Sequence, residues 1–290
     1  MHESPIPTAM ERALSGLPPA IRNRILERLQ SLTDYEPVIG IAGKSGAGKS
    51  SLCNALFSGE VSPVSDVLAC TRDALRFRLK ADKHSLIIID LPGAGESEAR
   101  DREYAELYHS LLPEMDLVLW VIKADDRALS VDEKFYREVI GKYRDKVLFV
   151  VSQVDRFEPL PQGIAALDTP SVQQRHNLSL KLEDIRQRFS PTHPLCAVST
   201  RTRWGVAAMV SVMMMCLPDK ASSPVTSRLH ESLRTENIRG QARERFGQTV
   251  SDMLDTVASS PSVSTATRNI IQTIRDIVVR IARSLWDFFF

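Results

Sequence analysis

Gly43-Lys44-Ser45-Gly46-Ala47-Gly48-Lys49-Ser50 lies between an apolar extended run, Val38-Ile39-Gly40-Ile41-Ala42, and a run of helical character, Ser51-Leu52-Cys53-Asn54-Ala55-Leu56-Phe57. In that setting the pattern G-x-x-x-x-G-K-S predicts a phosphate cradle. Its glycines let the backbone turn tightly enough for successive N–H groups to point inward at phosphate oxygens, and the following helix adds the positive end of its dipole. The spacing assigns Lys49 to the β- and γ-phosphates and the Ser50 hydroxyl to Mg²⁺, with Gly43, Lys44, Ser45, Gly46, Ala47, Gly48 and Ser51 completing the cradle. A Gly-rich turn without a ligand is the bland alternative, and the strand before and helix after it weigh against that.

Outward from the cradle, short apolar runs alternate with helical patterns between residues 37 and 217. Val38–Ala42, Ala74–Leu79, Leu86–Ile89, Leu117–Ile122, Val147–Val151 and Leu195–Val198 read as strands. The alternation predicts an α/β fold: a doubly wound, mainly parallel sheet with helices on both faces, flanked by helices from both termini. The expected organisation is a loose arm over 1–17, an N-terminal helix over 18–35, a nucleotide domain over 36–217 and a helical region over 225–290. Pro18-Pro19 opens the first of those helices, with Ile21, Ile25, Leu29 and Leu32 forming its apolar stripe. Phe157 to about Gln174 reads as a long loop, and Pro218 to Pro224 as a boundary.

A cradle alone does not separate a GTPase from an ATPase or a kinase. Leu86-Ile87-Ile88-Ile89-Asp90-Leu91-Pro92-Gly93 is a buried-strand pattern ending in D-x-x-G, which places Asp90 by the Mg²⁺ shell and the Gly93 N–H by the γ-phosphate. Between the two motifs, Cys70-Thr71-Arg72-Asp73 puts the Thr71 hydroxyl where a switch segment ligates Mg²⁺. Each alone reads as a turn or a surface loop; in this order and spacing they form the phosphate end of a GTPase. At the other end, the strand Val147–Val151 runs into Ser152-Gln153-Val154-Asp155, at the position of the N-K-x-D guanine reader. Asp155 is placed to accept two hydrogen bonds from the guanine ring N–H and amino group, a pattern that adenine does not offer. Gln153 keeps an aliphatic stem to cover the base but lacks the charge. Ala197-Val198-Ser199-Thr200 fits the loop that backs the base, with Thr200 and Arg201 in place of Ala and Lys.

With these residues in hand, the chain resembles the translation-factor-like GTPases of the TrmE, Era and septin group over roughly residues 36–217. The Cys70–Asp73 segment is similar to their T-T-R-D switch, and Gly43–Phe57 to their cradle and first helix; more narrowly, the chain is similar to prophage-borne bacterial GTP-binding proteins. The resemblance implies binding of GTP and GDP, Mg²⁺ and slow hydrolysis, in a nucleotide-dependent switch with a protein effector that the sequence does not name. By resemblance alone, RNA or the ribosome is a further candidate partner. The G-x-x-G module of Era-type proteins and the C-terminal Cys motif of TrmE are not found after residue 217.

Ala94 follows Gly93, where small GTPases place a water-orienting Gln, so hydrolysis in cis is expected to be slow. Gly46 stands where potassium-activated relatives have Asn, which argues against potassium activation. Glu96, Glu98 and Arg100 lie just downstream, in what reads as a solvated charged segment. A binding module that does not hydrolyse GTP and an ATPase on the same cradle are the rival readings.

In the tail, Ile270, Ile274, Ile277, Ile281, Leu285 and Phe288 recur at spacings of three and four, flanked by Ile271 and Val278. The stripe is expected to pack on residues 225–258 and on the N-terminal helix; a membrane-surface or partner-binding helix is the alternative, favoured by Trp286 and the terminal phenylalanines. With 37 Lys and Arg against 36 Asp and Glu in 290 residues, no overall field draws the chain to nucleic acid or anionic lipid. Four cysteines without metal spacing, no signal-like start and no long apolar run predict a cytoplasmic protein with reduced thiols.

Overall fold

The computed structural model describes residues 8–63, 74–81, 84–95, 97–157 and 170–290. Its elements in chain order are α1 Thr8–Ala13, α2 Pro19–Thr33, β1 Val38–Ala42, α3 Lys49–Leu56, β2 Glu60–Pro63, β3 Leu75–Ala81, β4 His84–Asp90, α4 Glu98–Leu111 and β5 Leu117–Lys123. There follow α5 Ser130–Phe135, β6 Val147–Ser152, α6 Val172–Phe189, β7 Cys196–Ala197, α7 Val206–Cys216, α8 Asp219–Arg228, α9 Glu236–Ala258, α10 Thr265–Ser284 and α11 Trp286–Phe289.

The seven strands form one sheet in the order β2-β3-β4-β1-β5-β6-β7. β1 runs parallel to both β4 and β5, β6 joins β5 in parallel, and β7 follows β6. Only the β2–β3–β4 margin is antiparallel. The sheet is therefore mostly parallel and covered on both faces, as the alternating pattern predicts. Successive strand residues take opposite faces. Ile39 and Ile41 of β1 join Leu117, Leu119 and Val121 of β5 in the core under α3 and α7. Ala42, Val118, Trp120 and Ile122 join the core under α4 and α6, where Trp120, Tyr136, Phe149 and Phe189 interlock edge to face.

Three departures from the sequence reading have physical causes. Residues 8–17, expected within a loose arm, contain α1 and bury Met10, Leu14 and Leu17; a six-residue helix is too short to show periodicity, and its order comes from packing on α10. Gln174, expected at the end of a loop, sits inside α6, where it closes a capping box with Ser171. Residues 158–169 of that expected loop lie outside the described residues. Pro218–Pro224, read as a boundary, instead caps and enters α8, which is buried from Ala221 to Arg228. Pro224 removes one helical donor, and the hydroxyls of Thr226 and Ser227 bond back to the carbonyls of Ser222 and Pro224.

The C-terminal helices pack on the nucleotide domain. α10 lies along α9, and α8 bridges α9 to β4. The buried apolar positions of the tail helices are Ile271, Val278, Val279 and Ala282, continued by Trp286 and Phe289. The expected stripe thus lies about one position to the side: Ile270, Ile277 and Phe288 are exposed, while Ile274, Ile281 and Leu285 border the core. An apolar arc this broad admits either seam, and the neighbouring helices choose. Trp286 Nε1 donates to Ser223 Oγ at 2.8 Å, Ser223 donates to the Ala242 carbonyl at 3.1 Å, and the ring of His84 on β4 bonds the Phe289 carbonyl. Among the described residues no helix is long and apolar enough to cross a membrane.

Candidate functional site

β1 delivers the cradle at the carboxyl edge of the sheet, where ligand crevices of open α/β sheets form. Gly48 caps α3 with φ of +91°, a conformation that side chains resist, so the chain turns there directly into the helix. Above the turn opens a cleft of about 1000 Å³. Ser45, Gly46, Gly48, Lys49, Ser50 and Ser51 line its phosphate end. Gln153, Asp155 and Thr200 line the other. The structure thus brings most of the residues singled out in the sequence around one cavity.

Lys49 Nζ donates to the Gly43 carbonyl at 2.8 Å and stands 3.7 Å from Asp90 Oδ1. That Asp90 oxygen is buried and has no hydrogen-bond partner. Burial pushes the Asp90 carboxyl above the usual carboxylate range, with the Lys49 ammonium opposing. An orphaned carboxylate oxygen beside a serine hydroxyl at a phosphate cradle fits a divalent cation held by Ser50 and Asp90. Gly93 is not among the residues that line the cleft; it abuts the first residues of the cradle, so close that a Cβ there would lie 2.7 Å from the Gly43 oxygen and from Lys44 N and Cα. Thr71, the expected switch hydroxyl, lies outside the described residues, as does Glu96. Ala94 is buried, and Tyr108 ties the preceding turn by donating to the Pro92 carbonyl at 2.8 Å.

At the opposite end, Asp155 Oδ1 accepts from Ser199 Oγ at 2.6 Å and Oδ2 from Arg201 Nε at 2.9 Å. Burial favours the neutral acid, but the hydrogen bonds from Ser199 and Arg201 prevail and hold this carboxyl below the usual range. Ser199 is fully buried and accepts in turn from the Thr202 N–H at 3.2 Å. Its place is beneath Asp155, whereas Thr200 and Arg201 face the cleft.

The two departures from N-K-x-D become tethers. Ser152 Oγ donates to the Ala47 carbonyl at 2.6 Å, and Gln153 Nε2 to the Gly46 carbonyl at 2.8 Å. Gln153 reaches it from a left-handed backbone conformation, φ +58°. Neutral side chains thus lock the two loops of the cleft together. The sequence reading passed over Ser152 because serine donors leave no signature without a known acceptor. It also passed over Arg201 as a partner of Asp155, 46 residues away. Lys44 and Ala47, assigned to the cradle, do not face the cleft: Ala47 closes the turn through its N–H to the Lys44 carbonyl, and the Lys44 side chain points to Asp126 and Asp132.

A cradle between β1 and α3, an aspartate at the end of β4 and an aspartate beyond β6, all at one sheet edge, define a P-loop G domain. Residues 38–153 match the family described as "50S ribosome-binding GTPase". Over 97% of this chain and 97% of theirs, two Escherichia coli K12 proteins are similar to it: YfjP at 55% identity and YkfA at 53%. GTPase Der of Acinetobacter baumannii is 32% identical over 123 residues, which are 41% of this chain and 26% of Der. The chain belongs to one family with YfjP and YkfA, and its residues 38–153 carry the GTPase domain that the family model describes.

Proposed function

We propose that the protein binds GTP and GDP in the cleft and acts as a nucleotide-dependent switch with slow, Mg²⁺-dependent hydrolysis. The observation that carries this reading is one cavity with a phosphate cradle at one end and, at the other, an ionised Asp155 presented by Ser199 and Arg201. A carboxylate at that place pairs with the two adjacent donors of guanine and leaves adenine unpaired, a mismatch that rejects the wrong base by ~10⁴ or more. Lys49 would neutralise the triphosphate, the Gly93 N–H would serve the γ-phosphate, and Ser50 and Asp90, with Thr71 by its place in the sequence, would hold Mg²⁺. Held there, the cation would supply positive charge against the phosphates. Ala94 offers no group to orient water, which supports slow turnover and a role for an outside partner. The family description names the 50S ribosome, so a ribosomal effector is the first partner class to test. The free thiols of Cys53, Cys196 and Cys216 support a cytoplasmic setting.

Competition against a fluorescent guanine nucleotide tests the reading. GTP and GDP are expected to displace it and ATP to fail at a thousandfold excess; displacement by ATP at similar concentration overturns the assignment. Lys49→Ala is expected to abolish binding, because the triphosphate keeps its charge and loses its cation.

A further inference from the structure

Lys44 belongs to the cradle by sequence, yet its side chain leaves the nucleotide cleft. Nζ lies 2.6 Å from Asp132 Oδ2 and 3.1 Å from Asp126 Oδ2, and donates to the Ala128 carbonyl. Asp132 sits in the first turn of α5 with its side chain only 4% exposed. Burial pushes that carboxyl above the usual carboxylate range, and the Lys44 ammonium opposes the shift. Asp126 is fixed independently: its Oδ1 accepts from the Ala128 N–H at 2.9 Å, and its carbonyl from Lys181 Nζ on α6. The ammonium is therefore held by a prearranged group of acceptors, as a clamp rather than a mobile surface contact.

The backbone of the same residue is the seat of Gly93, where Lys44 N and Cα stand at 2.7 Å from the place of a Cβ. Two residues on, Gly95 faces Val131, whose Cγ1 lies 3.5 Å from where a Gly95 Cβ would be. Val131 adjoins Asp132. The segment 125–132 thus meets the cradle through the Lys44 side chain and, through Val131, meets Gly95 just beyond the D-x-x-G turn. Gly46, Gly48, Lys49, Ser50 and Ser51 line the phosphate end of the cleft, and none of them takes part in the Lys44 clamp.

We propose that Lys44 is a positioning residue: its clamp on Asp126 and Asp132 fixes the turn on which Gly93 is seated, and so sets the preference of the site for a triphosphate over a diphosphate. This rests on the reading of the cleft as a guanine-nucleotide site. A diphosphate uses the helix side of the cradle and Lys49, while the γ-phosphate also needs Gly93 in register. Loosening the clamp therefore weakens the triphosphate first.

The test is equilibrium titration of the full chain with a fluorescent non-hydrolysable GTP analogue and with fluorescent GDP. Wild type is compared with Lys44→Met, Asp126→Asn, the double variant and Lys44→Arg. The ratio of GTP-analogue to GDP affinity is expected to fall about tenfold in Lys44→Met, since weakening one hydrogen bond to a charged phosphate has effects of about that order. It should fall in the same direction in Asp126→Asn, fall no further in the double variant than in Lys44→Met, and recover with Lys44→Arg. Equal weakening of both nucleotides, additive losses in the double variant, or an Arg variant as impaired as the Met variant overturns the proposal. Should Lys44→Met fail to fold by thermal melting, Asp126→Asn decides, and an unchanged ratio there overturns it. Wild-type protein that binds neither nucleotide overturns the assignment of the site itself.

Discussion

Replacing Gly93 by alanine adds a single methyl group, and the structure says where it would go. An ideal Cβ meets the Gly43 oxygen, Lys44 Cα and Lys44 N, each at 2.7 Å. Ordinary contacts between such atoms lie near 3.5–4.0 Å, so the turn must retreat from the cradle by roughly 1 Å. All three obstacles are backbone, and a backbone that also carries Lys49 and Ser50 cannot step aside without spoiling the cradle. A lost hydrogen bond to a charged phosphate is worth about 1.5–3 kcal/mol, or up to on the order of 10² in affinity. Gly93→Ala is therefore expected to lose about a hundredfold in affinity for a non-hydrolysable GTP analogue. GDP, which does not use the Gly93 N–H, should lose far less. Fluorescence titration with both nucleotides reads the two numbers directly. An alanine variant that binds the GTP analogue like wild type would refute the account of Gly93, because the methyl would then have found room the packing does not offer.

Three other outcomes are expected. The Asp155 carboxyl titrates below the usual range because Ser199 and Arg201 bond its charged form; its contribution to stability is full above the unfolded value and is lost as pH falls through the folded one. In a ¹³C titration, Ser199→Ala or Arg201→Ala should move it upward, and a carboxyl unmoved by both would show that other groups hold it. Trp286 is buried, bonds Ser223 and lies under the guanidinium groups of Arg239 and Arg243. Trp286→Ala is expected to cost about 3–5 kcal/mol, which at about 2–4 °C per kcal/mol lowers Tm by roughly 10 °C; a shift under about 2 °C would mean that the tail helices are not part of the cooperative core. Single-turnover hydrolysis by the purified protein should fall near 10⁻⁴ to 10⁻² s⁻¹, about the range for a GTPase without an external finger, and a rate above about 1 s⁻¹ would reveal a catalytic group beyond those named.

How much could be read in the chain depends on the range of each interaction. The cradle, the Asp90–Gly93 turn and the strands Leu117–Lys123 and Val147–Ser152 were legible because their patterns are local: glycines at fixed offsets and buried runs of β-branched and aromatic residues. β2 was not, since Glu60-Val61-Ser62-Pro63 is exposed throughout and its pairing with β3 supplies the order; Pro63 fits there because β2 is an edge strand. The helix through Pro224 was hidden by a residue that ordinarily ends helices, and only burial against α9 and β4 overrides it. In the tail the amphipathic pattern was plain, but whether Ile270 or Ile271 faces inward is decided by its neighbours. Ser152, Gln153 and Arg201 gained their partners only when the fold brought distant loops together. The same holds for Lys44, which local pattern assigns to phosphate and tertiary geometry assigns to Asp132.

If this cleft reads guanine, Asp155 is the residue that does so. Binding of GTP and xanthosine triphosphate to wild type and to Asp155→Asn tests it most directly. In wild type the carboxylate accepts from the guanine ring N–H and amino group; in the variant the carboxamide accepts from the ring N–H and donates to the oxygen that replaces the amino group in xanthine. In the variant, GTP affinity is expected to fall and xanthosine triphosphate affinity to rise, each by about tenfold or more. Unchanged affinities for both nucleotides, or parallel losses of both, would contradict it.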